Sequence, residues 1–335
     1  MQSPAALPEQ SVCSRADFEK AVGESQSPFV MRGLVRNWPL TTAGATASTL
    51  SEYLSGFHNG TPVTLMSGPP VIQGRLFYME GFKRLNFQSR EAAFADAMRA
   101  IFAAAALDLP PTLYMGSASA AKHWPGLADA NPQPLVPNGT IPNLWMGNQA
   151  VIGPHNDHPD NISCVIAGRR RFRLFPPEQF ANLYIGPLEL NPAGRPVSFV
   201  SVNAPDIARY PRYARALEAS REAVLAPGDA IYIPSMWWHS VESLEPFNLL
   251  VNYWWEAPGA NAARAEAALI HALLAMQPLT MQQRLAWKAV FDHLAFRVNG
   301  DPVAHIPAEA RGLLGDLTPD LRDRMRNLIR HSLLD

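Results

Sequence analysis

Cysteine is scarce in this chain of 335 residues, which contains two, Cys13 and Cys164. Two thiols are too few for the disulfide framework of a small secreted domain, and a chain of this length can bury a core without one. Cys164 lies in the apolar segment 162–167. We therefore expect a buried, unpaired thiol at that position.

The chain also lacks an excess of charge of either sign, and it lacks long apolar runs. The 28 Lys and Arg residues balance 29 Asp and Glu residues, which leaves a net charge of −1. This balance does not indicate a nucleic-acid partner or an anionic membrane surface. No apolar run approaches the roughly 18 residues of a membrane-spanning helix, and the N-terminus lacks the pattern of a signal peptide. We expect a cytoplasmic protein without a membrane span.

Closely spaced strands dominate the sequence from residue 141 to residue 256. Short apolar segments with strand character are separated there by Gly-Pro, Ala-Gly and Pro-Gly-Asp turns. The predicted strands are 143–152, 161–167, 170–175, 230–233 and 247–255. A long insertion over 184–226 interrupts them and is predicted to end in a helix over 212–223. The pattern predicts a mainly β core with surrounding helices.

Helical periodicity appears before and after this core. Ser89 is predicted to cap an alanine-rich helix over 90–106. After Pro258 the pattern predicts three helices: one over 261–276, one opened by a capping box at Thr280, and one that starts at Thr318-Pro319. We therefore predict one domain over 1–258 and a C-terminal helical segment over 259–335. The apolar stripes of these helices must be buried, either on the chain's own β core or in a homodimer.

The spacing of three side chains predicts a metal-binding site. His155 and Asp157 are separated by one residue, so both point to the same face of an extended strand. His239 lies near the end of the apolar segment 230–239, and a β-barrel would bring its side chain to the other two. Two imidazoles and one carboxylate form the facial triad of non-haem iron(II) enzymes. The remaining histidines lack a partner at such spacing, and His158 should point away from the shared face.

The motifs around this triad resemble a known family. They are His155-x-Asp157-x₃-Asn161, Gly168-x-Arg170-x₃-Leu174-Phe175-Pro176, Pro227-Gly228-Asp229-x₃-Ile233-Pro234-x₄-His239 and Val251-Asn252-x-Trp254. In this order they resemble the cupin-like branch of the JmjC-type iron(II)- and 2-oxoglutarate-dependent oxygenases. The resemblance implies a double-stranded β-helix, or jelly roll, with Fe²⁺ as cofactor and 2-oxoglutarate and dioxygen as co-substrates. It implies that His155, Asp157 and His239 bind the iron.

The resemblance also implies residues that hold the co-substrate. Arg170 stands where the family often has a lysine that binds a 2-oxoglutarate carboxylate, and arginine can bind a carboxylate through two hydrogen bonds. The alternative for Arg170 is one more member of a solvated basic strand. Asn161 and Asn252 match interior positions beside the metal. Tyr114 matches a tyrosine that hydrogen-bonds the co-substrate, although an ordinary strand aromatic explains it equally well.

Three functions follow, in order of preference. The first is an oxygenase that hydroxylates a protein or peptide side chain or a small molecule while 2-oxoglutarate is converted to succinate. The second is a metal-binding cupin, an isomerase or a binding protein, that does not use 2-oxoglutarate. The third is a JmjC-like scaffold that has lost turnover. The sequence leaves open the identity of the substrate and the choice between hydroxylation and demethylation.

Overall fold

The computed structural model describes residues 4–257 and 262–332. The chain divides into two compact units, residues 1–260 and residues 261–335.

Seven α-helices of the first unit lie within its described residues, most of them before the strand-rich region. Ser14 caps α1, where its hydroxyl accepts a hydrogen bond from the backbone N–H of Asp17 at 3.2 Å. Thr46 caps α3 in the same way, accepting from Thr49 N–H at 3.2 Å. The helices are α1 (Arg15–Ser25), α2 (Pro39–Ala43), α3 (Ala47–Phe57), α4 (Phe94–Ala105), α5 (Ala120–His123), α6 (Leu127–Ala130) and α7 (Tyr213–Ala219).

Fourteen strands in the described residues form two sheets. They are β1 (Ala5–Ala6), β2 (Phe29–Met31), β3 (Val63–Gly68), β4 (Arg75–Leu76), β5 (Gln88–Ala92), β6 (Thr112–Ser119), β7 (Pro142–Gly147), β8 (Val151–Asn156), β9 (Asp160–Ala167), β10 (Arg170–Phe175), β11 (Arg221–Leu225), β12 (Ala230–Ile233), β13 (Trp238–Ser243) and β14 (Asn248–Trp255). A six-stranded sheet has the order β1-β11-β10-β13-β8-β4, and an eight-stranded sheet has the order β2-β12-β9-β14-β7-β6-β3-β5.

Apolar side chains from both sheets pack together in one cluster. Val165 and Leu250 of the larger sheet lie there with Phe172, Leu174 and Leu225 of the smaller one. A second, larger cluster joins the eight-stranded sheet to α3 and α4. Because strand side chains alternate between faces, one sheet can supply both clusters. The result is a jelly roll with helices packed on its larger sheet, as predicted.

Three local predictions were wrong, each at a place where distant pairing decides the structure. The predicted strand 143–152 is two strands, β7 and β8, which belong to different sheets. Ser89 caps no helix; it lies in β5 opposite Met66, and α4 begins after Ala93. The predicted helix 212–223 ends at Ala219, and the chain continues as β11, paired with β10.

The second unit contains three α-helices in its described part. They are α8 (Ala262–Met276), α9 (Met281–Leu294) and α10 (Pro319–Ser332). The predicted capping box opens α9: Thr280 Oγ1 accepts from Gln283 N–H at 3.3 Å, and Gln283 Oε1 accepts from Thr280 N–H at 2.9 Å. The first residue of the predicted helix 261–276, Asn261, lies outside the described residues. Among the described residues there is no helix with the length and apolar character needed to cross a membrane.

Candidate metal and co-substrate site

The three predicted metal ligands meet because β8 and β13 are neighbouring antiparallel strands. His155 near the end of β8 and His239 near the start of β13 are direct register partners. Asp157 lies just beyond β8, and its backbone carbonyl accepts a hydrogen bond from Met236 N–H at 2.9 Å. The predicted strand 230–233 is β12, but the apolar segment 230–239 does not form one strand. A turn over 234–237 separates β12 from β13 and moves the chain to the other sheet, so His239 lies on β13.

Backbone carbonyls orient both imidazoles. Nδ1 of His155 lies 2.9 Å from the carbonyl oxygen of Gly153, and Nδ1 of His239 lies 3.2 Å from that of Trp237. An imidazole that donates from Nδ1 presents the lone pair of Nε2, the arrangement usual in metal-binding histidines. His239 Nε2 lies 3.6 Å from Asp157 Oδ2. The ligating atoms of the three residues lie within 4.8 Å of one another, close enough for one ion.

The environment of the triad suits metal binding. Burial and the neighbouring His155 lower the pKa of His239 to about 4, against a weaker opposing effect of Asp157. His239 is therefore neutral at pH 7, the form that binds a metal ion. Trp254 donates from Nε1 to Asp157 Oδ2 at 3.1 Å and so holds the carboxylate in place. In the described part of the chain this is the one His, Cys, Asp and Glu cluster with metal-ligand geometry.

The triad opens into a cavity of about 240 Å³ between the two sheets. Arg170, Tyr114, Asn161 and Asn252, the residues predicted to hold a co-substrate, all line it together with the triad. This volume far exceeds the roughly 10–15 Å³ that one water molecule needs, and it can hold a small dicarboxylate. The jelly roll thus brings together every side chain that the sequence indicated for the site.

Arg170 is a buried cation, and its neighbours in β10 are not. It is 2% exposed, whereas Arg169, Arg171 and Arg173 point to the outer face and form ion pairs with glutamates. Arg170 Nη2 donates to the Trp145 carbonyl at 3.0 Å, while its buried Nε lacks a hydrogen-bond partner. Among the described residues no carboxylate pairs with it. Arg170 is therefore not part of a solvated basic strand.

Tyr114 of β6 lies beside this guanidinium. Burial raises the pKa of the Tyr114 phenol, and Arg170 opposes that rise. Burial likewise lowers the pKa of Arg170, and Tyr114 opposes that change. Even so, the ordinary pKa of arginine is so high that the group stays protonated. A buried charge is costly unless it is paired, so this end of the cavity favours an anionic ligand.

A hydrogen-bonded chain of side chains forms another wall of the cavity. Trp145 Nε1 donates to Asn252 Oδ1 at 2.7 Å, and Asn252 Nδ2 donates to Asn161 Oδ1 at 3.3 Å. Ser163 Oγ donates to the same Asn161 oxygen at 3.1 Å. The amide nitrogen of Asn161 has no partner within the described residues, so its two N–H groups remain available to a ligand.

The sequence interpretation missed Trp145 and gave no role to Trp254. Trp254 belongs to the motif Val251-Asn252-x-Trp254, so its position two residues after Asn252 was a usable signal. Trp145 carried no signal in the sequence, because its importance comes from three contacts made after folding: to Asn252, to Arg170 and, edge to face, to Trp254 at 5.7 Å. His158 contacts Arg195 in the insertion and is not among the residues that line the cavity, in agreement with the expectation that it points away.

A jelly roll with a His-Asp-His cluster in its interior defines the class of metal-binding cupins. The family model described as "Cupin-like domain" matches residues 15–261, and the chain belongs to this family. The resemblance to the cupin-like JmjC-type proteins is thereby confirmed.

Curated relatives are similar over part of the chain. Human HSPB1-associated protein 1 is 34% identical over 143 residues, which cover 41% of this chain and 28% of that protein. Lysine-specific demethylase JMJ31 of Arabidopsis thaliana is 35% identical over 116 residues, covering 34% of this chain and 21% of that protein. Lysine-specific demethylase 8 of Danio rerio is 35% identical over 114 residues, covering 34% of this chain and 27% of that protein.

The matched segment therefore spans less than a third of each of these relatives. Among solved structures, E. coli ycfD aligns with 97% of this chain and 68% of its own at a TM-score of 0.44 and 15% sequence identity.

Proposed function

We propose that this protein is an iron(II)- and 2-oxoglutarate-dependent oxygenase. The observation that carries the proposal is Arg170, a buried guanidinium without a carboxylate partner in the described chain, in the same cavity as His155, Asp157 and His239. A metal-binding cupin that did not use 2-oxoglutarate would have no need for an unpaired cation there. Both the cavity volume and its buried charge suit a small dicarboxylate.

Each lining residue then has a role. His155, Asp157 and His239 would hold Fe²⁺, which when bound supplies activation of dioxygen. Arg170 would bind the far carboxylate of 2-oxoglutarate, with the Tyr114 hydroxyl as a second donor. Asn161 and Asn252 would orient the co-substrate next to the metal, since Trp145 and Ser163 fix both amides. The role of the protein is to orient these groups and to exclude water.

The net reaction balances as follows. One oxygen atom of dioxygen enters a substrate C–H bond as hydroxyl, and the other enters the new carboxylate of succinate. The first carbon of 2-oxoglutarate leaves as carbon dioxide.

Two of the relatives are named as lysine-specific demethylases, which favours a protein side chain as substrate over a small molecule. We also propose that the protein works in the cytoplasm, a reducing compartment that suits ferrous iron.

The C-terminal unit adds a proposal about assembly. Its helices expose large apolar side chains, among them Leu273 and Leu274 of α8 and Leu285 and Trp287 of α9. Contiguous exposed apolar surface marks an interaction site. We propose that it forms a homodimer interface.

Succinate formation tests the enzymatic proposal. The purified chain is loaded with Fe²⁺ without oxygen, and 2-oxoglutarate and air are then added. We expect succinate to form slowly without a second substrate, and the Asp157→Ala variant to form none because it lacks a metal ligand. Wild-type protein that forms no succinate, with or without candidate substrates, would overturn the proposal. An Asp157→Ala variant with full turnover would overturn the metal assignment.

A further inference from the structure

One segment of the insertion carries three arginines and no acidic residue within seven positions. Its sequence is Arg209-Tyr210-Pro211-Arg212-Tyr213-Ala214-Arg215. The arginines are exposed, whereas Tyr210 is half-buried and Tyr213 is buried. None of these residues lines the cavity that contains the triad. The proposed reaction therefore leaves this segment without a role.

The arginines of the segment are not neutralised by ion pairs. Within the part of the chain that the structure describes, no carboxylate forms a salt bridge with any of them. The Asp206 carboxylate accepts a hydrogen bond from the backbone N–H of Arg209 at 3.0 Å. By contrast, Arg15 and Arg99 on two helices of the first unit each pair with a carboxylate of the same helix.

Aromatic rings hold two of these guanidinium groups in place. Cζ of Arg212 lies 4.6 Å from the centroid of the Tyr184 ring, and Cζ of Arg209 lies 5.2 Å from that of Tyr210. The two tyrosine rings meet edge to face with their centroids 5.0 Å apart. The Tyr184 hydroxyl accepts a hydrogen bond from the backbone N–H of Arg212 at 3.0 Å. A ring on the flat face of a guanidinium leaves the N–H groups at its edge available to a ligand.

Arg75 of β4 adds a third guanidinium to this surface. Its Cζ lies 3.7 Å from the centroid of the Phe77 ring, and its Nη2 donates to the Phe199 carbonyl at 3.1 Å. Burial lowers the pKa of Arg75, and the neighbouring Tyr210 opposes that change. Arg75 also lacks a carboxylate partner among the described residues. A partly buried positive charge without a counter-charge favours an anionic ligand.

The arginine–tyrosine face, which consists of Arg75, Tyr184, Arg209, Tyr210 and Arg212, fits a series of single negative charges. Its three guanidinium groups lie over three different rings, so they are spread over the surface and do not point to one centre. A phosphate group is best bound by several donors that converge on it, whereas each of several carboxylates can be bound by one arginine. The arrangement therefore matches a polypeptide segment with several aspartates or glutamates.

Nucleic acid is the other polyanion that arginines bind, and the rings of this face are poorly placed for it. Single strands bind through bases that stack on open aromatic faces. Here a guanidinium covers one face of Tyr184 and one face of Tyr210, and the two rings also pack on each other. The net charge of −1 provides no long-range attraction for a long polyanion. These observations favour a protein partner.

We propose that the arginine–tyrosine face binds an acidic segment of a partner protein, with a carboxylate on each of its three guanidinium groups. The proposal does not depend on the chemistry of the triad, since no residue of the face lines that cavity. Four of the five residues of the face belong to the insertion, and residues 192–194 of the same insertion do line the cavity. A protein bound here would therefore contact the insertion that contributes to the cavity wall.

Peptide binding to the purified full chain tests the proposal. A labelled acidic peptide alternates glutamate with glycine, and matched peptides carry glutamine or lysine in place of glutamate. We expect the acidic peptide to bind at least about tenfold more tightly than the glutamine peptide, measured by fluorescence anisotropy at low salt. This preference should disappear at about 1 M salt, where exposed charges are screened. Equal affinity for both peptides at low salt would overturn the proposal.

Two double variants separate the face from the overall charge of the protein. Arg209→Gln with Arg212→Gln should weaken binding of the acidic peptide about tenfold, since two charge-assisted contacts are lost. Arg15→Gln with Arg99→Gln removes the same charge from two exposed helix positions and should bind like the wild type. Unchanged affinity in the first variant, or an equal loss in the second, would contradict the proposal.

Reversal of charge distinguishes lost binding from lost folding. Arg209→Glu with Arg212→Glu should bind the lysine peptide about tenfold more tightly than the wild-type protein does, a gain that a misfolded chain cannot show. A reversed variant that melts like the wild type without this gain would refute the proposal. A single-stranded RNA that binds more tightly than the acidic peptide, and binds less tightly to the glutamine variant, would assign the face to nucleic acid instead. Since turnover enters neither measurement, wild-type protein that forms no succinate would overturn the proposed function alone.

Discussion

At the residue scale, Trp254 is the side chain that connects the aromatic wall of the cavity to the metal ligands. Its indole donates to Asp157 Oδ2 at 3.1 Å and fixes the carboxylate in one orientation. Partners of this kind typically contribute about 10- to 100-fold to metal affinity. We expect Trp254→Phe to bind Fe²⁺ about tenfold more weakly, measured by titration under anaerobic conditions. Trp255→Phe, whose ring stacks on Tyr232 outside the site, should bind iron like the wild type.

A substitution of Arg170 is expected to change stability and function in opposite directions. The guanidinium is buried and its Nε has no partner, so the ligand-free protein bears the desolvation cost of a charge without full compensation. We expect Arg170→Met to melt at the same temperature as the wild-type protein or higher. The same variant should lose 2-oxoglutarate affinity by about 100-fold or more, since breaking a buried charge pair costs about 3–5 kcal/mol.

Thermal melts with and without 2-oxoglutarate measure both effects. Wild-type protein should be stabilised by the co-substrate in the presence of a divalent metal, and the variant should not. A variant that melts well below the wild type but keeps its 2-oxoglutarate affinity would show that Arg170 is a structural residue only.

At the scale of elements, the turn before β12 is held by a single carboxylate. Asp229 accepts hydrogen bonds from Gly33 N–H at 2.9 Å, from Ala226 N–H at 3.1 Å and from the Arg32 guanidinium at 2.7 Å. These contacts tie β12 to the end of β2. We expect Asp229→Ala to lower the free energy of unfolding by about 2–4 kcal/mol, since two backbone N–H groups lose their partner.

A full-chain urea titration monitored by tryptophan fluorescence measures this change. Asp96→Ala is the control, because Asp96 pairs with Arg99 on an exposed surface of α4, where such ion pairs contribute little. Equal stability of both variants would mean that the turn is held by backbone pairing alone.

The elements also show which parts of the structure the sequence could predict. Strand alternation placed His155 and Asp157 on one face, because alternation is a local property of any extended strand. The capping box at Thr280 was equally local. These features required no knowledge of the neighbouring chain.

The errors occurred where the chain passes from one sheet to the other. β7 and β8 are separated only by residues 148–150, and β12 and β13 only by residues 234–237, yet the two strands of each pair belong to different sheets. The register that sets His155 opposite His239 is fixed by pairing across more than 80 residues. Likewise, the hydrogen bonds of Trp145 could not be predicted, since each joins residues distant in sequence.

At the scale of the whole molecule, the proposed homodimer predicts the mass of the protein in solution. Leu273 of α8 and Leu285 of α9 are 52% and 58% exposed, and monomeric proteins rarely expose large apolar patches. We expect light scattering after size exclusion to give twice the chain mass of 36.8 kDa. Leu273→Asp with Leu285→Asp should shift the protein to monomer, because a charge in an apolar interface loses its hydration. Val71→Asp, at an 83% exposed position of the first unit, should leave the dimer intact. A wild-type chain that stays monomeric at micromolar concentration would contradict the assembly while leaving the metal site and its chemistry unaffected.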